Sequence, residues 1–169
     1  TNNTVRNCNI TTAVNTTAGY GIFIGGATPG SNGADNDNIT IQNNFISEAT
    51  FGIGAIGTTN VSAGGIDNLN INTNRVEFNN TLAGGIAIRV GNVLRSSISR
   101  NTISIETSNN TILGISAETG TNNTTISKNL ISKVRATTPT GLPVVRGIAI
   151  GTAQTGSNIT VSNNVIYNV

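Results

Sequence analysis

The sequence predicts an all-β solenoid of about six stacked turns with three short strands in each, and three observations carry this prediction. One segment pattern, seen in Asn38-Ile39-Thr40-Ile41-Gln42-Asn43-Asn44-Phe45-Ile46, returns along the whole chain. Its first core residue recurs at Val5, Ile41, Ile71, Ile98, Ile126 and Val161, intervals of 36, 30, 27, 28 and 35 residues. Periods of that length mark stacked repeat architectures. The composition agrees: Asn, Thr, Ile and Gly dominate, Leu is scarce and Met absent, which favours β-branched strands and turns over helices.

Each repeat opens on a strand. Period-two alternation puts Ile39 and Ile41, Leu69 and Ile71, and Ile159 and Val161 on one face, with Thr40, Asn70 and Thr160 on the other. A bend follows. Three residues after each core position stand Cys8, Asn44, Asn74, Asn101, Asn129 and Asn164. Asn tolerates left-handed backbone, and its amide both donates and accepts, so stacked copies bond to one another and to the backbone. Each such bond is worth only about 1 kcal/mol net, so the ladder fixes register more than it supplies stability. A further near-constant column precedes the core position by three residues: Asn2, Asn38, Asn68, Asn123 and Asn158, broken by Arg95. Cys8, the lone cysteine, reads as a small buried substitute in the ladder column.

The second strand carries Ile10, Ile46, Val76, Ile103, Ile131 and Ile166, which stack inward beyond the bend. The third is read from Gly21-Ile22-Phe23-Ile24, Gly52-Ile53-Gly54-Ala55, Gly85-Ile86-Ala87-Ile88, Gly114-Ile115-Ser116-Ala117 and Gly147-Ile148-Ala149-Ile150, a strand entered through a glycine. Three strands in roughly 30 residues is the arithmetic of a parallel β-helix. On these columns the chain resembles the right-handed parallel β-helix repeat family, pectate-lyase-like in fold, which includes polysaccharide lyases, polygalacturonases, phage tailspikes and bacterial surface proteins. The resemblance implies a right-handed β-helix. It leaves function open, because that architecture carries enzymes, adhesins and spacers alike.

The unbroken period makes residues 1–169 one elongated domain. Thr1 stands close to the first core strand and Val169 within the sixth repeat, so the reading expects part of a longer chain, with open terminal repeats prone to aggregate. No apolar run is long enough to cross a membrane. Low charge, few Lys and abundant Asn and Thr fit a secreted or cell-surface protein, and the composition resembles cargo of bacterial outer-membrane export pathways. The Asn-x-Thr matches, such as Asn38-Ile39-Thr40, are more economically repeat columns than glycosylation acceptors.

Two long excursions, 25–37 and 134–143, hang outside the repeats and are where a site is expected. Residues 1–84 carry net charge −3 and residues 85–169 +5, which together give the chain's +2. A basic flank for an anionic glycan is one reading; outward charge that discourages edge pairing is preferred. Asp35, Asp37 and Asp67 fall in or beside one column and are the candidate Ca²⁺ ligands, carboxylate oxygen being suited to that ion. Arg100 and Lys128 share a column and stack about 4.8 Å apart, the candidate contacts for a glycan.

Catalysis is poorly served. The chain has no His, no recognisable acid pair for glycoside hydrolysis and few aromatics, with Phe45 and Phe78 read as local packing. Nucleic-acid binding lacks a strong basic field with interleaved aromatics. The leading reading is a non-catalytic stalk or adhesion module contacting glycans, with no cofactor, its other expected partners being the rest of its own chain and export machinery. The alternative is a fragment of a polysaccharide lyase or glycoside hydrolase. That alternative requires Ca²⁺ on Asp35, Asp37 and Asp67 with an arginine such as Arg75 as base, against the guanidinium's reluctance to deprotonate.

Overall fold

A computed structural model describes residues 2–12, 19–59, 65–80, 85–108, 111–139, 141–151 and 156–169. Among them there is no helix, and every strand pairing is parallel. The first sheet contains Asn3–Arg6, Ile39–Gln42, Asn70–Asn72, Ser97–Ser99, Thr125–Ser127 and Thr160–Ser162, side by side in chain order. The second contains Asn9–Thr11, Phe45–Ser47, Arg75–Asn80, Thr102–Thr107, Leu130–Ala136 and Val165–Tyr167. The third contains Tyr20–Ile24, Phe51–Ile56, Ile86–Gly91, Thr111–Ala117 and Val144–Ile150. The chain thus visits the sheets in turn and returns beside its own earlier strand. A further two-stranded sheet, Ile66–Asp67 with Val93–Leu94, lies outside the sequence expectation.

The core is a set of stacked columns, as the alternation requires. Ile41, Ile71, Ile98 and Ile126 are paired neighbours in the first sheet and fully buried. Ile46, Val76, Ile103 and Ile131 do the same in the second, and Ile53, Ile88 and Ile115 in the third. Each such side chain contributes about 1.5–3 kcal/mol of burial. In the column of Ile39 and Leu69 the later repeats place buried Ser96 and Thr124. Their hydroxyls are satisfied by the Leu94 and Asn122 carbonyls at 3.2 and 2.9 Å, which is what allows a polar group in that position.

The ladder is continuous. Asn44, Asn74, Asn101 and Asn129 are buried, and in each case the backbone N–H and Nδ2 donate to Oδ1 of the next ladder asparagine at 2.9–3.1 Å. Nδ2 also reaches back to the carbonyls of Val5, Ile41, Ile71, Ile98 and, from Asn164, Ile126. The left-handed backbone falls one residue earlier than the ladder, at Asn7, Asn43, Thr73, Arg100, Lys128 and Asn163, and also in the column Asn38, Asn68, Arg95, Asn123 and Asn158.

Four expectations are corrected. Cys8 holds the ladder position, donating its N–H to Asn44 Oδ1 at 3.0 Å, but it is exposed, in the bend between the outermost strands Asn3–Arg6 and Asn9–Thr11. Ile166 pairs with Ile131 as expected yet remains 45 % exposed on the opposite outermost strand, beside exposed Val161, Val165 and Tyr167. The glycine column slips at its third member: Ile88, not Ile86, pairs with Ile53 and Ile115, so Ala87 occupies the place assigned to Gly85. A slip of two preserves which residues face inward, and the sequence Gly-Ile-Ala-Ile fits either register. Excursion 25–37 does not hang free; Gly33 N–H donates to Ile56 O at 2.9 Å, and Gly33 packs on the Gly25 backbone where an added Cβ would come within 2.6–2.8 Å.

Candidate binding face

The three candidate Ca²⁺ ligands are neighbours with structural tasks. Asp37 Oδ1 accepts the Asp67 backbone N–H at 3.0 Å, tying the excursion to the two-stranded sheet, and the Asp67 carboxylate is ion-paired with Arg95. Asp35 lies against Asp37; a hydrogen bond to that carboxyl, then its charge and that of Asp67, raise the Asp35 pKa above the usual carboxylate range. Among the described residues no group of three His, Cys, Asp or Glu is placed to hold a metal ion.

Arg100 and Lys128 are neighbours in the turn column, both exposed and both left-handed, with φ of 56° and 57°. Their backbone N–H groups donate to Ser127 O and Ser162 O, each at 3.2 Å. They stand in a turn, where long exposed side chains extend into water. Arg75 is corrected as a base. Its Nε and Nη2 donate to Glu77 Oε1 and Oε2 at 2.7 and 2.9 Å, and its guanidinium lies 5.1 Å from the Phe45 ring centroid. The hydrogen bond and charge of Glu77 raise its pKa further, so the group stays charged. Phe78 is fully buried, as packing requires.

The third sheet assembles a face that sequence reasoning missed. Register places Phe23 beside Gly54, Gly54 beside Arg89 and Arg89 beside Ser116. Gly54 leaves the space that Tyr20 fills: a Cβ there would stand 2.4 Å from Tyr20 Cε1. The Tyr20 ring stacks on Phe51 at 4.5 Å and 15°, and tilts against Phe23 at 4.7 Å. Arg89 is held from two sides. Its Nη1 donates to Tyr20 Oη at 2.9 Å, while Nε and Nη2 fork onto Glu118 Oε1 and Oε2 at 2.8 and 3.0 Å. The hydrogen bond to Glu118 raises the Arg89 pKa, outweighing partial burial. The Phe51 centroid lies 5.8 Å from the guanidinium carbon.

Beside this pair is a cavity of about 260 Å³ lined by Gly30 and Asn32 of the docked excursion, Ile56, Thr59, Gly91, Asn92 and Thr119. Asn92 is 8 % exposed; its Nδ2 donates to Gly57 O at 3.2 Å, and its Oδ1 packs against Gly120, where an added Cβ would stand 2.1 Å from it. Excursion 25–37 thus frames one side of this cavity. The Tyr20–Arg89–Glu118 contact was hidden because it joins residues 69 and 29 apart, and because the two-residue slip put Ala87 where Arg89 belongs. No family model, curated protein or solved structure matches the chain.

Proposed function

We propose that the chain is a right-handed parallel β-helix of about six coils, of the repeat family that its columns resemble. In this reading it serves as a non-catalytic stalk or adhesion module of a secreted or cell-surface protein and contacts glycans through the face around Arg89. The observation that carries the glycan reading is the Arg89–Glu118 fork, backed by aromatic rings and opening on a cavity. Sugar recognition uses such planar bidentate groups, fixed before the ligand arrives. The stalk reading is supported by the parallel stacking and the ladder, which give an elongated, self-registering body. The secreted or surface assignment is supported by composition: charged residues are 9 % of the chain.

The experiment is a glycan array probed with the labelled protein, alongside hydrolase and lyase assays on the retained glycans. The proposal expects retention without turnover, weakened by Arg89→Ala. Turnover of a retained polysaccharide would replace it with the carbohydrate-active enzyme reading, and an array without a retained glycan would remove the glycan contact.

A further inference from the structure

We propose that the cavity beside Arg89 and Glu118 is a subsite for one uncharged pyranose residue, a terminal or branching sugar of a neutral glycan. This deepens the glycan-contact reading and rests on it.

Size comes first. About 260 Å³ lies just below the ~300–1,000 Å³ of pockets that enclose drug-sized ligands. One sugar ring fits, whereas an oligosaccharide extends onto the surface.

Charge selects next. Arg89 and Glu118 are the ionisable residues of the lining, and they neutralise each other through two hydrogen bonds. An anionic sugar or a phosphate finds no unpaired cation, and a metal ion finds one carboxylate already engaged.

The remaining hydrogen-bonding capacity has the pattern of a sugar. A guanidinium has five N–H donors, and Arg89 uses one on Tyr20 and two on Glu118, which leaves two. The Glu118 carboxylate keeps lone pairs beside them. Adjacent donors and acceptors held in one plane satisfy neighbouring hydroxyls, each of which both donates and accepts. Tyr20 and Phe51 fix the guanidinium in advance, so little ordering is lost on binding.

Gly91 provides a test that spares the fold. It is a lining residue with ordinary φ, and a Cβ built there has its nearest neighbour, Glu118 Cβ, at 3.6 Å. Gly91→Leu therefore fills the cavity without touching the ladder or the core columns. The probes are the methyl pyranosides of glucose, galactose and mannose, with galacturonate and inorganic phosphate for comparison, titrated into ¹⁵N-labelled protein. We expect at least one neutral pyranoside to bind with millimolar affinity and shift the amides of Gly30, Asn92 and Thr119, with weaker shifts from both anions. Gly91→Leu should weaken binding by about tenfold or more, the equivalent of about 1.4 kcal/mol, at an unchanged urea midpoint. Glu118→Gln, which keeps the side-chain shape, should weaken it as well and serves if Gly91→Leu does not fold. Tighter binding of galacturonate or phosphate overturns the inference, as does pyranoside affinity that survives both substitutions. If the array retains a neutral glycan while these variants bind it normally, the subsite is wrong and the glycan-contact reading stands. If neither the array nor the titration shows binding, both fall.

Discussion

Removing one rung of the ladder, by Asn101→Ala, strands groups that have no other route to water. Asn101 is 1 % exposed. Its Oδ1 accepts from Asn74 N and Nδ2, and its Nδ2 donates to Ile71 O and Asn129 Oδ1, all at 3.0 Å. After truncation Asn74 Nδ2 keeps Ile41 O, and Asn129 Oδ1 keeps the Asn101 backbone N–H. The Asn74 N–H loses its acceptor and Ile71 O loses a donor. At about 1–3 kcal/mol for each stranded buried group, the loss is about 2–6 kcal/mol, a large share of the ~5–15 kcal/mol that holds a typical domain folded. Asn70→Ala is the control: Asn70 stands on the outward side of its strand with no side-chain hydrogen bond among the described residues, so its removal should stay within about 0.5 kcal/mol. Urea unfolding followed by far-UV circular dichroism measures both. Equal midpoints for the two variants would refute the view that the ladder sets the register.

Three other outcomes follow from the geometry. Gly54→Ala drives a Cβ to 2.4 Å from the Tyr20 ring, so it should cost about 1–3 kcal/mol and change the near-UV dichroism of Tyr20; an unaltered spectrum would contradict the packing described. Lys128→Asn should stabilise the chain by about 0.5–1 kcal/mol, because Asn tolerates the left-handed backbone that Lys occupies at strain, and a loss of stability on urea unfolding would count against that turn. Asp35 binds its proton more readily folded than unfolded, because its neighbour Asp37 raises its pKa. The contribution is therefore fully present below the unfolded pKa and lost as pH rises through the folded one. Asp35→Asn should remove that decline, so its urea midpoint should gain on the wild type from acid to neutral pH; the opposite trend would remove the carboxyl pair.

How much of this was legible in the sequence depends on how local the determinants are. Ile41, Ile71, Ile98 and Ile126 were legible because strand alternation and repeat spacing both constrain them, and the ladder because Asn44, Asn74, Asn101 and Asn129 hold a fixed offset from that core. The third sheet was read with an error, since Gly-Ile-Ala-Ile carries the same inward pattern in two registers and only the pairing of Ile88 with Ile53 separates them. Strands of two residues, Ile66–Asp67 and Val93–Leu94, are too short to show a period. Solvent contact at Cys8 and Ile166 is decided by what stacks beside a strand, which a column alignment does not encode. Asp37 and Asp67 did meet, through a shared column with Asp35 beside Asp37, but the Arg95 and backbone partners that employ Asp67 and Asp37 lie across repeats. The Arg89 face needed the correct register together with a vacancy at Gly54, and a vacancy is visible only when a neighbour fills it.

The stacking itself is tested most directly by nuclear Overhauser and hydrogen-exchange measurements on the asparagine side-chain amides. The Nδ2 protons of Asn44, Asn74, Asn101 and Asn129 should exchange slowly and show contacts to ladder residues 30, 27, 28 and 35 positions further along the chain. Rapid exchange of these four amides, or contacts confined to sequence neighbours, would contradict the parallel, in-register stack on which the functional proposal depends.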